Sequence, residues 1–363
     1  MYICLIAHDH TDTLDSTLEE RVERMARLTE KLFVCVVRSD ESSALNDLPN
    51  NTEVVYVDEY RLSLITSRRV KKACAPFVES AKEYVSIVGD DIVKVGGYTR
   101  ALARAFHAEY NIYVHEEISA GDKSSRNIAR ILTESRLTVV PSIRVKKTCD
   151  TCAGKDLSAI VAIVPPPVLV SHVPDTRPDV YNNRQPVFFL DATHMHEQDV
   201  HTALLAFAPV ARRYPNAFLT VSGCVRIQKE IKRLIHAESL EQHIICLPTL
   251  EQSAVCTYLA YADLALYTPR QAGYGAALIR ALLAGAPLLT TDVGVVGSLV
   301  TTDDALICPP GDSACLTKRM LLLLDNPAIL NSLKESALRM KEKFPRTIFE
   351  PERYNLKMKD LLE

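Results

Sequence analysis

The chain has 363 residues, enough for two domains of ordinary size, each with its own core. Hydrophobic residues make up 47% of it and the net charge is −3, which fits a globular protein and gives no whole-molecule reason to bind nucleic acid. No apolar run approaches the roughly 20 residues that span a bilayer.

The opening MYICLIAHDH lacks the basic start of a signal peptide and reads as a first strand, so a cytoplasmic location is expected. Short β-rich runs then alternate with helical patterns. Tyr2 to Ala7, Phe33 to Val37, Val54 to Val57, Tyr84 to Val88, Asn111 to Val114, Leu137 to Val140 and Ile160 to Val164 are expected strands. Helices are expected over Leu18 to Leu32, Arg69 to Glu83 with a break at Pro76, Tyr98 to Tyr110 and Ser124 to Arg136. In the first of these, Val22, Met25, Leu28 and Leu32 recur every three or four residues and form one buried face. Such alternation with near-continuous apolar strands implies a parallel sheet covered on both faces.

Pro165-Pro166-Pro167 begins a stretch rich in Pro, Asn, Asp and Arg that reads as a linker, and the domain boundary is placed near Pro178. Beyond it the alternation resumes. Strands are expected at Val187 to Leu190, Ala217 to Val221, Ile244 to Leu247, Leu264 to Tyr267, Leu288 to Thr291 and Ala305 to Ile307. Helices are expected at Val200 to Arg213, Ile227 to His236 and Gln252 to Tyr261. The tail from Ser313 is helical apart from a break at Pro345. The fold class is therefore α/β, with two doubly wound, Rossmann-like domains over 1–178 and 179–345, a terminal helix over 346–363, and a cleft expected between the carboxyl ends of the two sheets.

Ten cysteines are more than usual. Cys4, Cys35, Cys224, Cys246 and Cys308 lie in or beside apolar runs and read as small buried hydrophobes in a reducing compartment. Cys149-Asp-Thr-Cys152 has metal or redox spacing, but one such pair without a second supports neither.

The most informative stretch is ADLALYTPRQAGYGAALIRALLAGAPLLTT, Ala262 to Thr291. A buried strand leads through a loop with Arg270 to Gly273-Tyr274-Gly275 and a helix that Gly285 and Pro287 end. A helix start approached through glycines suits a phosphate, whereas the plain alternative is a strand–helix–strand unit without ligand. The order of strand, Pro, Gly-Tyr-Gly, apolar helix, Ala-Gly-Ala-Pro and strand resembles the donor-binding segment of family 4 glycosyltransferases, which have the GT-B fold. The resemblance runs from about Pro186 to Phe344 and more weakly across the first half.

It implies transfer of a sugar from a nucleotide-sugar to a glycan, lipid or protein acceptor, with retention of configuration and no bound metal. It also implies that the last helix returns to the first domain, with Tyr354, Leu356, Met358 and Leu361 or Leu362 as its apolar contacts. The donor residues it points to are Thr193 and Gln198, where the family has an Arg and a Lys, Gly223 under the donor, and the run Ala272, Gly273, Tyr274, Gly275; Arg270, by its own place in the loop before that helix, reads either as a bidentate phosphate ligand or as a solvated loop arginine. The family's paired glutamates fall on Ala272 and Arg280, so both are missing; Arg280 otherwise reads as a surface helical arginine. His194, His196 or His201 are substitutes for the absent diphosphate cations.

In the first domain His115, ending Asn111-Ile-Tyr-Val-His115, corresponds to the family's histidine near the transferred sugar. His8 and His10 close the first strand where the family has a glycine pair on the acceptor side. Gly89-Asp90-Asp91 reads as a polar loop. The clusters Arg68-Arg69-Val-Lys71-Lys72 and Arg144-Val-Lys146-Lys147 read as solvated, although family members with lipid acceptors touch anionic membranes through this domain. The replaced glutamates, diphosphate cations and glycine pair also support an alternative, a degenerate paralogue that keeps the fold as a binding or partner subunit.

Overall fold

The computed structural model describes residues 1–9, 17–39, 45, 48–81, 85–118, 125–168, 176–193, 195–223, 228–343 and 351–362. The chain divides into two compact units, Met1–Pro166 with Pro351–Glu363, and Pro167–Glu350.

The first unit is built on parallel strands β1 (Tyr2–His8), β2 (Lys31–Arg38), β3 (Thr52–Asp58), β4 (Val85–Gly89), β5 (Tyr110–Tyr113), β6 (Leu137–Val140) and β7 (Val161–Ile163), in the order β3-β2-β1-β4-β5-β6-β7. Its helices are α1 (Leu18–Ala26), α2 (Ser63–Ser80), α3 (Gly96–Ala105), α4 (Ser125–Glu134) and α5 (Ile143–Ala153). β1 is buried on both faces, as its apolar sequence requires. Cys4 and Ile6 pack with Val70 of α2 and Leu102 of α3, and Ile3, Leu5 and Ala7 pack with Val22 and Met25 of α1.

Three differences from the sequence reading are the largest. α1, opened by a capping box between Thr17 and Glu20, stops at Ala26 instead of reaching Leu32. Leu32 belongs to β2, and Leu28 and Leu32 kept the helical spacing only because turn and strand bury them in the same layer. α2 begins earlier, at Ser63, and runs through Pro76, which lies on the exposed face, where water can satisfy the carbonyl its ring leaves unbonded. Tyr110, expected to end a helix, is a buried strand residue whose hydroxyl donates to the Ile131 carbonyl at 2.7 Å.

The terminal helix α12 (Pro351–Leu362) belongs to this unit. Met358 and Leu362 are fully buried with α1 and β1, and Tyr354 and Leu361 pack beside them. Lys357 Nζ donates to the Ile163 carbonyl at 2.7 Å. Leu356 is not a contact: it is 67% exposed, because it lies off the face that positions 354, 358 and 361 share.

The second unit has strands β8 (Val187–Asp191), β9 (Phe218–Ser222), β10 (Ile244–Cys246), β11 (Leu264–Tyr267), β12 (Leu288–Thr291) and β13 (Leu306–Cys308), all parallel, in the order β10-β9-β8-β11-β12-β13. Around them lie α6 (Glu197–Arg213), α7 (Gln228–Ala237), α8 (Gln252–Tyr261), α9 (Ala276–Ala284), α10 (Ser313–Asp325) and α11 (Pro327–Lys343). The strand order reverses between β1 and β4 in the first unit and between β8 and β11 in the second. Doubly wound sheets bind ligands beyond the strand ends at such switch points.

Cys4 and Cys35 are buried free thiols as expected, Cys246 is only half-buried, and Cys224 lies outside the described residues. Cys308 is not a free hydrophobe: it is disulfide-bonded to Cys315 in the first turn of α10. Cys149 and Cys152, both on α5, are free, and burial pushes the Cys149 thiol up to about 12. Among the described residues no helix is long and apolar enough to cross a membrane.

Candidate functional site

At the switch point of the second unit, the chain leaves β8 toward α6 and leaves β11 toward α9. An open cavity of about 560 Å³ lies there, lined by His196, Glu197, Gln198 and Asp199 at the start of α6 and by Arg270 and Gln271 after β11. The His196 side chain makes no cap hydrogen bond, so the positive end of a 17-residue helix borders the cavity. Gln198, indicated by the resemblance, and His196 line it, whereas His201 is exposed on α6 and His194 lies outside the described residues.

Arg270 is half-exposed and held from behind. Its backbone N–H donates to Asp199 Oδ1 at 3.1 Å, and its Nε lies 3.8 Å from the same oxygen. Thr268 Oγ1 donates to the Asp199 carbonyl at 3.3 Å, and Thr291 Oγ1 donates to the Pro269 carbonyl at 2.6 Å. Asp199 is buried, which pushes its carboxyl up against the opposing pull of His196 and Arg270, and its Oδ2 has no hydrogen-bond partner. Asp199 was not singled out in the sequence, because an acidic residue in a helix's first turn reads as ordinary dipole complementation.

A second cluster sits at the end of β8. Asp191 Oδ1 accepts from the Thr193 N–H at 3.2 Å, Thr193 Oγ1 at 2.6 Å and Ser222 Oγ at 3.2 Å. Arg280 Nη1 donates to Asp191 Oδ2 at 3.3 Å. Arg280 is therefore not a surface arginine: its side chain is 15% exposed and crosses from α9 to the neighbouring strand. Gly223 has φ 74° and follows β9, and a side chain there would collide with the Thr193 backbone. Glycine thus lets the two strand ends close on each other.

The Gly-Tyr-Gly turn is enclosed by its own unit. Ala272, Gly273, Tyr274 and Gly275 are all buried, and the Tyr274 carbonyl accepts the Val295 N–H at 3.0 Å. Gly294 packs on that carbonyl. The segment after β12 encloses the start of α9, and the helix start bordering the open cavity is that of α6.

In the first unit, His8 is buried between Asp9, 2.9 Å from its Nδ1, and Glu59, 3.3 Å from its Nε2; His10 lies outside the described residues. Asp90 is buried at the end of β4 and is not part of a polar loop. Arg21 of α1 grips it through Nε at 3.1 Å and Nη2 at 2.8 Å, and His115 Nε2 lies 3.5 Å from Asp90 Oδ1. Burial opposes the charge of Asp90, but Arg21 and then His115 hold the carboxyl well below the usual range. The His115 ring also stacks on Tyr113, with centroids 5.8 Å apart. These contacts fix the ring and direct Nε2 toward the carboxylate. Among the described residues no group of three or more His, Cys, Asp or Glu side chains is arranged to hold a metal ion.

Residues 177–343 match the family Glycosyl transferases group 1. Glycogen synthase of Mycobacterium tuberculosis is 26% identical over 140 residues, covering 37% of this chain; the match spans about a third of that relative, 32% of its length. Three solved structures share the whole architecture. Sucrose-phosphate synthase from Thermosynechococcus elongatus has a TM-score of 0.72 at 14% identity, over 99% of this chain and 98% of its own. Anabaena HepE in complex with UDP and glucose also reaches 0.72, at 15% identity over 99% and 98%. An Escherichia coli structure described as trehalose-6-phosphate bound with UDP-2-fluoro glucose reaches 0.71, at 11% identity over 100% and 99%. The fold is that of GT-B glycosyltransferases, and the match to group 1 glycosyl transferases lies within residues 177–343.

Proposed function

We propose, from the match of the second unit to group 1 glycosyl transferases, that this protein transfers a sugar from a nucleotide-sugar to an acceptor with retention of configuration. The observation that carries this reading is the cavity where the start of α6 and Arg270 converge. A diphosphate in it would meet the helix's positive end and a guanidinium that is half-exposed yet backed by Asp199. As the glycosidic bond breaks, charge grows on the diphosphate, and Arg270 stabilises it without needing to move. We assign the loss of the family's glutamate at position 280 a compensation: Asp191 Oδ2, which among the described residues accepts from Arg280 alone, keeps capacity for a ribose hydroxyl. His115, oriented by Asp90 and Tyr113, is assigned to the transferred sugar, and His8 to the acceptor side, each within the first unit. UDP and UDP-glucose, which similar structures hold, are the first donors to test.

The exposed run Tyr60, Leu62, Leu64 and Ile65 at the start of α2 adjoins exposed Arg61, Arg68 and Arg69. Apolar side chains ringed by cations suit an anionic bilayer, and we assign this face to peripheral membrane contact. We place the protein in the cytoplasm, consistent with seven free cysteines among the described residues. Beyond the replaced family residues, no observation favours the partner-subunit alternative.

Release of nucleoside diphosphate from a panel of nucleotide-sugars tests the activity. We expect turnover with one donor class and a fall of about 100-fold or more in kcat/KM for Arg270→Ala. Absence of turnover with every donor and a broad acceptor set, or an unaffected Arg270→Ala, contradicts the reading.

A further inference from the structure

We propose that the Cys308–Cys315 disulfide is a redox clasp that sets the affinity of the Arg270 cavity for a nucleoside diphosphate; this rests on the nucleotide reading above. The bond joins the buried end of β13 to the first turn of α10, with Cα atoms 5.9 Å apart, and so closes the turn Pro309–Ala314. At the crown of that turn Gly311, with φ 77°, lies against the guanidinium of Arg270: a side-chain carbon there would sit 3.6 Å from both Cζ and Nε. Arg270 is therefore held by Asp199 behind its backbone, and the Pro-Pro-Gly turn borders its side chain closely enough that a methyl group at Gly311 would touch the guanidinium.

Both ends of the turn are tied to elements that form the cavity. The Cys308 carbonyl accepts the Asp292 N–H at 2.9 Å beside Thr291, whose hydroxyl holds the Pro269 carbonyl. On the other side α10 packs on α6, where Thr317 Oγ1 donates to the Ala206 carbonyl at 2.9 Å. With the disulfide formed, the turn is closed covalently and the guanidinium is pre-ordered. With it reduced, the turn keeps the Asp312 cap on the Cys315 N–H, at 2.8 Å, and the Asp312 N–H on the Pro309 carbonyl, at 3.3 Å, but loses its covalent closure, and Arg270 regains rotamers that binding must then freeze.

The chemistry is selective. The contact with Cys74 and then burial raise the Cys35 thiol, and burial raises those of Cys149 and Cys152, so these three are poor thiolates. In the opening step a small dithiol attacks the Cys308–Cys315 bond; the S–S bond breaks, two protein thiols form, and the dithiol is oxidised to its cyclic disulfide. Closure is the reverse, two electrons and two protons passing from the protein thiols to a small-molecule disulfide.

The full chain is equilibrated with reduced or oxidised dithiothreitol, and the state of the pair is read by alkylation and peptide mass spectrometry. The dissociation constant for UDP and other nucleoside diphosphates is then measured. The oxidised protein should bind at least about fivefold more tightly, the size of a modest coupling between sites. Cys308→Ser with Cys315→Ser should bind like the reduced protein and ignore the redox ratio. Equal affinity in both states, with the bond verified in one and absent in the other, overturns the proposal, as does failure of the pair to join under oxidised dithiothreitol. Phenylglyoxal labelling of Arg270 needs no nucleotide: it should be slower in the oxidised protein, where Gly311 shields the guanidinium. A redox-dependent labelling rate without binding of any nucleotide leaves the clasp standing as a device on Arg270 while removing the nucleotide reading, and an unchanged labelling rate removes the clasp.

Discussion

Asp90 shows how one buried carboxylate can organise a site. Arg21 takes both of its oxygens and His115 lies 3.5 Å away, so its charge persists despite burial. Because its folded pKa lies below the ordinary Asp value of about 3.9, the group adds stability above that pH and loses it as pH falls toward the folded pKa. The stability gap between the native protein and Asp90→Asn, measured by urea unfolding, should be widest at neutral pH and narrow below about pH 4. A gap independent of pH would show that the carboxylate is not held charged. Arg21→Ala should cost about 3–5 kcal/mol, since it strands that charge. Arg21 was not singled out in the sequence, although the signal was there: it sits on the apolar stripe of Leu18, Val22 and Met25, where a solvated arginine has no place. Asp199 was not legible, since its function depends on a loop more than seventy residues away, 71 positions along the chain at Arg270.

At the scale of elements, periodicity located β11, β12 and α8 to the residue, because uniformly buried strands and glycine or proline stops leave little choice of boundary. Local sequence marks the Gly-Tyr-Gly start of α9 as permissive for phosphate, and the structure adds what no local pattern holds: the Val295 N–H on the Tyr274 carbonyl, and a second helix start, that of α6, beside the open cavity. α12 is the element whose placement rested on resemblance, and its burial of Met358 and Leu362 now gives it a physical basis. Met358→Ala should cost about 2–4 kcal/mol and speed proteolysis within 351–362. Leu356→Ala, altering an exposed side chain of the same helix, should stay within about 0.5 kcal/mol. The α2 face makes its own prediction: sedimentation with vesicles of anionic lipid should fall for Leu62→Ser with Leu64→Ser, and vesicles of zwitterionic lipid alone should not retain the protein. Equal retention on both lipids would remove the electrostatic part of that assignment.

For the whole molecule, the alternation of strand and helix dictated two doubly wound parallel sheets, because parallel strands need crossover helices on both faces. That logic extends to the strand order, whose reversal positions each set of loops: His8, Asp90 and His115 in the first unit, and the α6 start with Arg270 in the second. Chemistry was less legible than fold, since the residues that mark the resembled family are replaced and the pairs proposed to stand in for them, Asp191 with Arg280 and Asp199 with Arg270, meet only after folding. The account's central claim is that the Arg270 cavity takes a nucleoside diphosphate. The most direct measurement is thermal unfolding of the full chain with a panel of nucleoside diphosphates and nucleotide-sugars, alongside Arg270→Ala. Ligand at about a hundred times its dissociation constant should add about 2.7 kcal/mol, raising Tm by a few degrees for one base and less in the variant. No shift with any base at millimolar ligand, or a shift that Arg270→Ala leaves intact, would contradict it.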